Sequence, residues 1–195
     1  CNQNPDLIQI NSIPTQISEN KDSIYLNKPN DIYKTIENSA QFIFDPVELN
    51  FIPAEYWSKR MVSLEDLKKT FFCAKSSKHL RFEFKLWNAL QITKHYPFLF
   101  SEIGVKWVAK SFIMVHRDIF GNLLQVTRPS AALFSSCGMF MTHGFRELLL
   151  SEVRNKLDPL EVSQIDESII RLFVHNEYDF NENSGVADIG KIKWF

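Results

Sequence analysis

The chain has 195 residues, 45% of them hydrophobic and 17 of them Phe, with a formal net charge of −1. That length fits one domain with extensions, or one domain plus a small subdomain, and the apolar content allows a sizeable core. No stretch reaches the roughly 18 uncharged apolar residues of a membrane span, because the greasiest one, Phe140 to Leu150, is broken by His143, Gly144, Arg146 and Glu147.

The polar start shows no signal peptide. The first residue is Cys1, not Met, which reads as a fragment or a processed product, with a mature lipoprotein terminus as the lesser alternative. The cysteines Cys1, Cys73 and Cys137 are odd in number and widely scattered, without a paired zinc spacing. They point to reduced thiols in an intracellular compartment.

Charge is unevenly distributed. Residues 1–62 hold five basic and eight acidic side chains, residues 63–150 hold twelve and six, and residues 151–195 hold five and nine. A basic middle between acidic ends suits a polyanion-binding core with soluble flanks. Chance clustering of solvated charges would give the same pattern.

Residues 1–39 are rich in Asn, Ser, Lys and Ile without steady periodicity and read as a flexible polar lead. Residues 40–62 crowd Phe42, Phe44, Val47, Leu49, Phe51, Tyr56 and Trp57 around Pro46 and Pro53, as an extended arm packing on the domain would. The domain proper is expected over residues 63–178, with a polar tail over 179–195. Ser63 followed by Asp66 marks an N-cap, with Leu64, Leu67, Phe71 and Phe72 at helical spacing. Leu80, Phe84, Trp87 and Leu90 predict an amphipathic helix from Leu80 to His95, ended by Pro97, with Lys78, Arg81, Lys85 and Lys94 on its polar side or entry.

Ile103 to Val108 suits a short strand or turn. A compact helix fits residues 116–124, broken by Gln125-Val126-Thr127-Arg128-Pro129, and a second fits Ser130 to Cys137, stopped by Gly138. Two short helices joined by a tight turn with a central aliphatic residue, here Val126, form a helix-turn-helix pattern. Residues 139–146 then read as two short strands around a Thr142-His143-Gly144 turn, the wing. Residues 147–157 suit another helix, and Ile169 to Val174 a strand. The fold class expected is mainly α with a small β wing (α+β), a winged helix-turn-helix.

The segments Phe84-Lys85-Leu86-Trp87-Asn88-Ala89-Leu90, Ile103-Gly104-Val105-Lys106-Trp107-Val108, Ile119-Phe120-Gly121-Asn122-Leu123-Leu124-Gln125-Val126, Leu133-Phe134 and His143-Gly144-Phe145 occur in an order that resembles a known family. That family is the initiator-binding domain found in protist transcription-initiation proteins. The resemblance covers roughly Arg81 to Leu148, with a fainter likeness at Ile170 to His175. It implies a winged-helix domain that recognises a core promoter initiator element, with the second helix of the motif in the major groove and basic residues on the backbone. It also implies double-stranded DNA as partner, action in the nucleus, and a link to transcription machinery including RNA polymerase II. Fuller members engage the polymerase through a separate C-terminal domain, which this chain is expected not to include. The sequence departs from the family's pattern on the recognition helix, where Ala131, Ala132, Ser135, Ser136 and Cys137 are small, and at Met114 and His116, where a basic residue and a small polar cap are expected.

The expected DNA-binding residues are Arg128, Ser130, Ser135, Ser136, His143, Arg146, Arg117, Lys78 and Arg81, with Lys85 beside them. Arg128 could meet a phosphate or a guanine edge, and Ser135 and Ser136 can hydrogen-bond any base. For each basic residue a solvated surface charge is the competing reading, and for His143 it is a cap that serves the fold. No catalytic, cofactor or metal site is expected. Cys137 and His143 lack the further ligands zinc needs, and no orienting third group completes a nucleophile pair. The alternative to DNA reading is a winged-helix protein-interaction module that has lost sequence-specific recognition.

Overall fold

The computed structural model describes residues 42–57, 60–177, 180–189 and 191. The polar lead expected over 1–39 lies outside the described residues. At the N-terminal side, β1 (Ile43–Phe44) pairs antiparallel with β2 (Val62–Ser63), and the short helix α1 (Ala54–Trp57) lies between them. Phe44, Leu49, Phe51, Ile52 and Trp57 from this stretch are buried in the main core. Ser63 then caps α2 (Leu64–Asp66): its hydroxyl oxygen accepts from Asp66 N–H at 3.0 Å and its O–H donates to Asp66 Oδ2 at 2.8 Å. The chain winds on through a wider, π-type helical stretch (Leu67–Phe72) that buries Leu67, Phe71 and Phe72.

The central element is α3 (Phe82–His95), of which twelve residues, Phe82 through Thr93, are buried. The helix expected from Leu80 to His95 is present from Phe82 and ends at His95, but the side expected to be polar and solvent-facing is enclosed. The 42–57 stretch lies over one side of α3, where Asn88 and Trp87 hydrogen-bond Ile52 and Asn50. The loop after Phe72 covers Lys85, whose Nζ donates to Ala74 O at 2.5 Å. Polar side chains that look solvent-facing by spacing are therefore enclosed and find partners inside.

After a tight turn (Pro97–Leu99) and α4 (Phe100–Ile103), the chain forms the hairpin β3 (Val105–Ala109) and β4 (Phe112–His116). Gly104 joins α4 to β3 at φ +79°, and a Cβ there would run into Phe120 N and sit 2.9 Å from Ile119 Cβ, so only glycine fits both the angle and the space. Next come α5 (Arg117–Leu123), a turn, the helical stretch Ser130–Phe134, α6 (Met139–Thr142), β5 (Phe145–Leu148), α7 (Leu150–Val153), a 3₁₀ turn (Arg154–Lys156), α8 (Pro159–Ser163), β6 (Ile170–His175) and α9 (Val186–Ile189).

β3 to β6 make one antiparallel sheet in the order β3-β4-β6-β5. Alternation along the strands divides it into two faces. Val105, Ile113, Val115, Phe145 and Phe173 join the main core around α3, whereas Met114, Leu148, Leu172 and Val174 join a second cluster. The second cluster is closed by Val153 and Leu157, with Val162 and Ile165 packed against it. The segment after β5 thus crosses the far face of the sheet before the chain returns in β6. Phe180 and Ile189 are buried in the main core, so the stretch expected as a polar tail contributes to packing.

The fold is a mixture of helices and an antiparallel sheet, with more strand than a small wing would supply. Residues 139–146 differ from the expected pair of wing strands. Phe140 must stack on Phe173, at 4.3 Å between ring centroids, while Met139 and Met141 are partly buried beside it, a helical rather than a strand phase. Thr142 N–H closes the turn on Gly138 O, and β5 pairs instead with β6, 25 residues further on, with Phe145 opposite His175.

Candidate nucleic-acid interface

Two neighbouring helices carry the candidate surface. α5 begins at His116, whose Nδ1 accepts from Ile119 N–H at 3.4 Å, so the imidazole itself supplies the cap. Met114 is buried in the second core, which explains an apolar residue there. Val126 N–H bonds Gly121 O and Gln125 takes φ +53°, folding the chain back toward Pro129. Gly121 makes this return possible: a Cβ on it would lie 2.6 Å from Pro129 Cγ. Leu133 is then buried, which turns the opposite side of the Ser130–Phe134 stretch outward.

On that outward side Arg128, Ser130, Ala131, Ser135, Ser136 and Cys137 are all exposed. Ser135 Oγ donates to Ala131 O at 2.7 Å, and its oxygen stays able to accept. The helical stretch ends at Phe134, three residues short of the expected end at Cys137, because Ser135 takes extended backbone angles. Lys75, Ser76, Ser77 and Lys78 are exposed on the loop before α3, and Lys75 and Ser76 line the same cavity as Cys137. The basic loop and the end of the second helix are therefore adjacent. Lys75 was not among the residues expected from sequence, although its place in a Lys-Ser-Ser-Lys run was legible.

Five other expected contacts have different surroundings. His143 is 1% exposed, with Nδ1–H donating to Met139 O at 2.5 Å and Nε2 lying 3.6 Å from Glu83 Oε2. It cannot donate to a phosphate from there, which corrects the expected wing-tip contact. Burial pushes its pKa down to about 4, the Met139 bond opposes the shift, and the nearby Arg81 charge adds to it. Arg81 belongs to the same cluster: Nε lies 2.9 Å from the fully buried Glu83 Oε1, and the guanidinium sits 4.4 Å from the Phe84 ring centre. Burial holds the Glu83 carboxyl above its ordinary range against the pull of a backbone hydrogen bond and of Arg81. Arg81 serves this buried carboxylate, not an open phosphate site.

Arg117 forks onto Asp118 at 2.8 and 2.9 Å and donates to Ser168 O at 3.0 Å. Its guanidinium ties the start of α5 to the segment preceding β6. Arg146 lies on β5 opposite Val174 and shares a sheet face with Leu148; its Nη1 is 3.9 Å from Glu152. Lys85 is likewise buried and bound to Ala74 O, and burial lowers its pKa. The segment between β5 and β6, residues 149–169, holds five acidic and two basic side chains. On the candidate surface itself, the exposed basic side chains are Arg128 and the loop residues Lys75 and Lys78.

Among the described residues no group of three or more His, Cys, Asp or Glu is placed to hold a metal ion, and no helix is long and apolar enough to cross a membrane. No curated protein and no solved structure matches the chain significantly. A family model described as the transcription-initiator DNA-binding domain IBD matches residues 55–166, which run from α1 into the segment between β5 and β6 and make up more than half of the chain. The chain belongs to the IBD family of transcription-initiator DNA-binding domains.

Proposed function

We propose that this protein reads a core promoter initiator element in duplex DNA through a winged-helix unit, with no catalytic step. The family match carries the reading, since the family is described as a transcription-initiator DNA-binding domain. The winged-helix assignment draws support from connectivity. α3 is followed by α4 and the β3–β4 hairpin, then by α5, the Ser130–Phe134 helix and α6, then by β5, the helical crossing and β6, and the last strand lies between β4 and β5 in the sheet. Here the wing is a helical, acidic crossing packed on the sheet, so it is a poor ligand for phosphate.

In this reading the Ser130–Phe134 helix enters the major groove. Arg128, Ser130, Ser135 and Ser136 face base edges and phosphates, and Lys75 and Lys78 hold the adjacent backbone. Small hydroxyl side chains discriminate bases weakly, which leaves Arg128 as the principal base reader. The protein acts in the nucleus, upstream of the RNA polymerase II machinery. Selection of bound sequences from a random duplex pool tests the proposal: an enriched motif supports it, and uniform recovery of all sequences overturns it.

A second reading, a protein-interaction module on the same framework, is favoured by the small Ala131 and Cys137 side chains on the outward face. Binding to duplex DNA that is absent even at low salt would select it.

A further inference from the structure

A cavity of about 340 Å³ lies where the 75–78 loop, the first turn of α3, and the turns after α5 and before α6 meet. Its size is near the lower end of the roughly 300–1,000 Å³ typical of small-molecule sites. Leu80, Phe82, Leu124 and Met139 supply apolar wall, and Lys75 and Lys85 supply two amines. No carboxylate lines it. The nearest buried acid on α3, Glu83, is engaged by Arg81. Lys85 is 8% exposed, and the one hydrogen bond of its ammonium among the described residues goes to Ala74 O. An ammonium has three N–H donors, so this buried group has donors to give a ligand inside an apolar pocket.

We propose that this cavity is a binding site for a small apolar carboxylate, its anion held by Lys85 and Lys75 and its apolar body packed between Phe82, Leu124 and Met139. The charge complementarity is specific. A neutral apolar molecule would leave the Lys85 donors unmet, and a cation would face two amines with no counter-charge. Burial lowers the Lys85 pKa, and a bound carboxylate would oppose that shift by pairing with the charged form. A ligand on Lys85 also meets the group that fixes Ala74, so its occupancy sets the position of the 75–78 loop.

The test uses naphthoate, with naphthol as a neutral probe of nearly the same shape, titrated into the isotope-labelled full chain without DNA. Saturable amide shifts at Ala74, Leu80, Lys85 and Thr142 are expected with naphthoate. Affinity should be about tenfold weaker for naphthol, the usual worth of one charge-assisted hydrogen bond. Leu124→Trp fills the cavity and should abolish the shifts while the rest of the spectrum stays dispersed. Absence of saturable shifts with naphthoate, equal affinity for naphthol, or shifts confined to other surfaces would each overturn the proposal. The comparison of the two probes needs only the unaltered chain, so it stands even if the Trp variant misfolds.

Discussion

The Asn88 side chain bonds both backbone groups of Ile52, accepting from its N–H and donating to its carbonyl, each at 2.9 Å. Ile52 O also accepts from Trp57 Nε1–H at 3.1 Å. One amide in the middle of α3 thus satisfies a chain segment 36 residues earlier that has no strand partner there. Asn88→Ala would strand a buried N–H, at about 1–3 kcal/mol for such a group, and weaken the carbonyl's bonding as well. Urea denaturation should show a loss of about 2–4 kcal/mol, with DNA affinity retained at temperatures where the variant is folded.

Gly121 and Pro129 set the approach of the two helices on the candidate surface. Gly121→Ala forces the Pro129 ring to move, and overpacking of this kind costs about 1–3 kcal/mol. Because the shift is delivered to Arg128 and Ser130, DNA affinity should fall along with stability. A control at Asn122, the exposed neighbouring position, should change neither property beyond about 0.5 kcal/mol. Fluorescence anisotropy on folded samples separates the two effects.

Arg128 and the loop lysines should respond differently. Arg128→Ala should weaken binding by about 1–3 kcal/mol and relax preference at one base position. Lys75→Ala and Lys78→Ala should weaken all duplexes alike, each lowering the slope of log affinity against log salt by about 1. Arg117→Ala should instead reduce stability with little change in salt slope, since its guanidinium is occupied by Asp118 and Ser168 O. An unchanged slope in the Lys75→Ala, Lys78→Ala double variant would remove the loop from the interface.

His143 gives the protein an acid-sensitive core. Its folded pKa of about 4 lies below the ordinary 6.5, so between these values the unfolded chain binds the extra proton. Its contribution is fully present above pH 6.5 and is lost as pH falls toward 4, by about 2 kcal/mol between neutral pH and pH 5. Glu83 works the other way. Its raised folded pKa stabilises the fold at low pH, and that contribution declines as pH rises above 4.5 through the folded value. In His143→Gln the acid loss between pH 6.5 and 5 should shrink, as measured by urea midpoints across that range.

The family match ends at residue 166, whereas β6, at residues 170–175, pairs with both β4 and β5. A fragment confined to residues 55–166 lacks β6 and also Phe44, Leu49, Phe51 and Ile52. It should therefore be unfolded by circular dichroism and amide dispersion, while residues 42–191 should fold.

Much was legible in the sequence because it depends on neighbours in the chain. The Ser63 cap, the helix ended at Pro97, the α5–turn–Ser130 unit and the β6 run follow from capping, proline stops and short-range periodicity. So does the exposure of Arg128, Ser135 and Ser136, since burying Leu133 turns them outward. Spacing also carries the order of motifs by which the family is recognised.

What only the tertiary structure decided is which polar residues are enclosed. Arg81, Lys85 and His143 look like a basic fringe in one dimension, yet Lys85 is bound to Ala74 in the loop after Phe72, His143 is buried against Met139 and Glu83, and Arg81 turns to Glu83. The burial of Glu83 then requires Arg81 and His143 as neighbours. β4 was passed over because its Phe-Ile-Met-Val run is apolar on both faces, and only a second core, built from residues more than thirty positions later, gives that pattern a meaning. Local sequence fixes helices and caps, whereas enclosure depends on chain segments distant in sequence, and it is enclosure that separates a side chain able to meet a phosphate from one that holds the core.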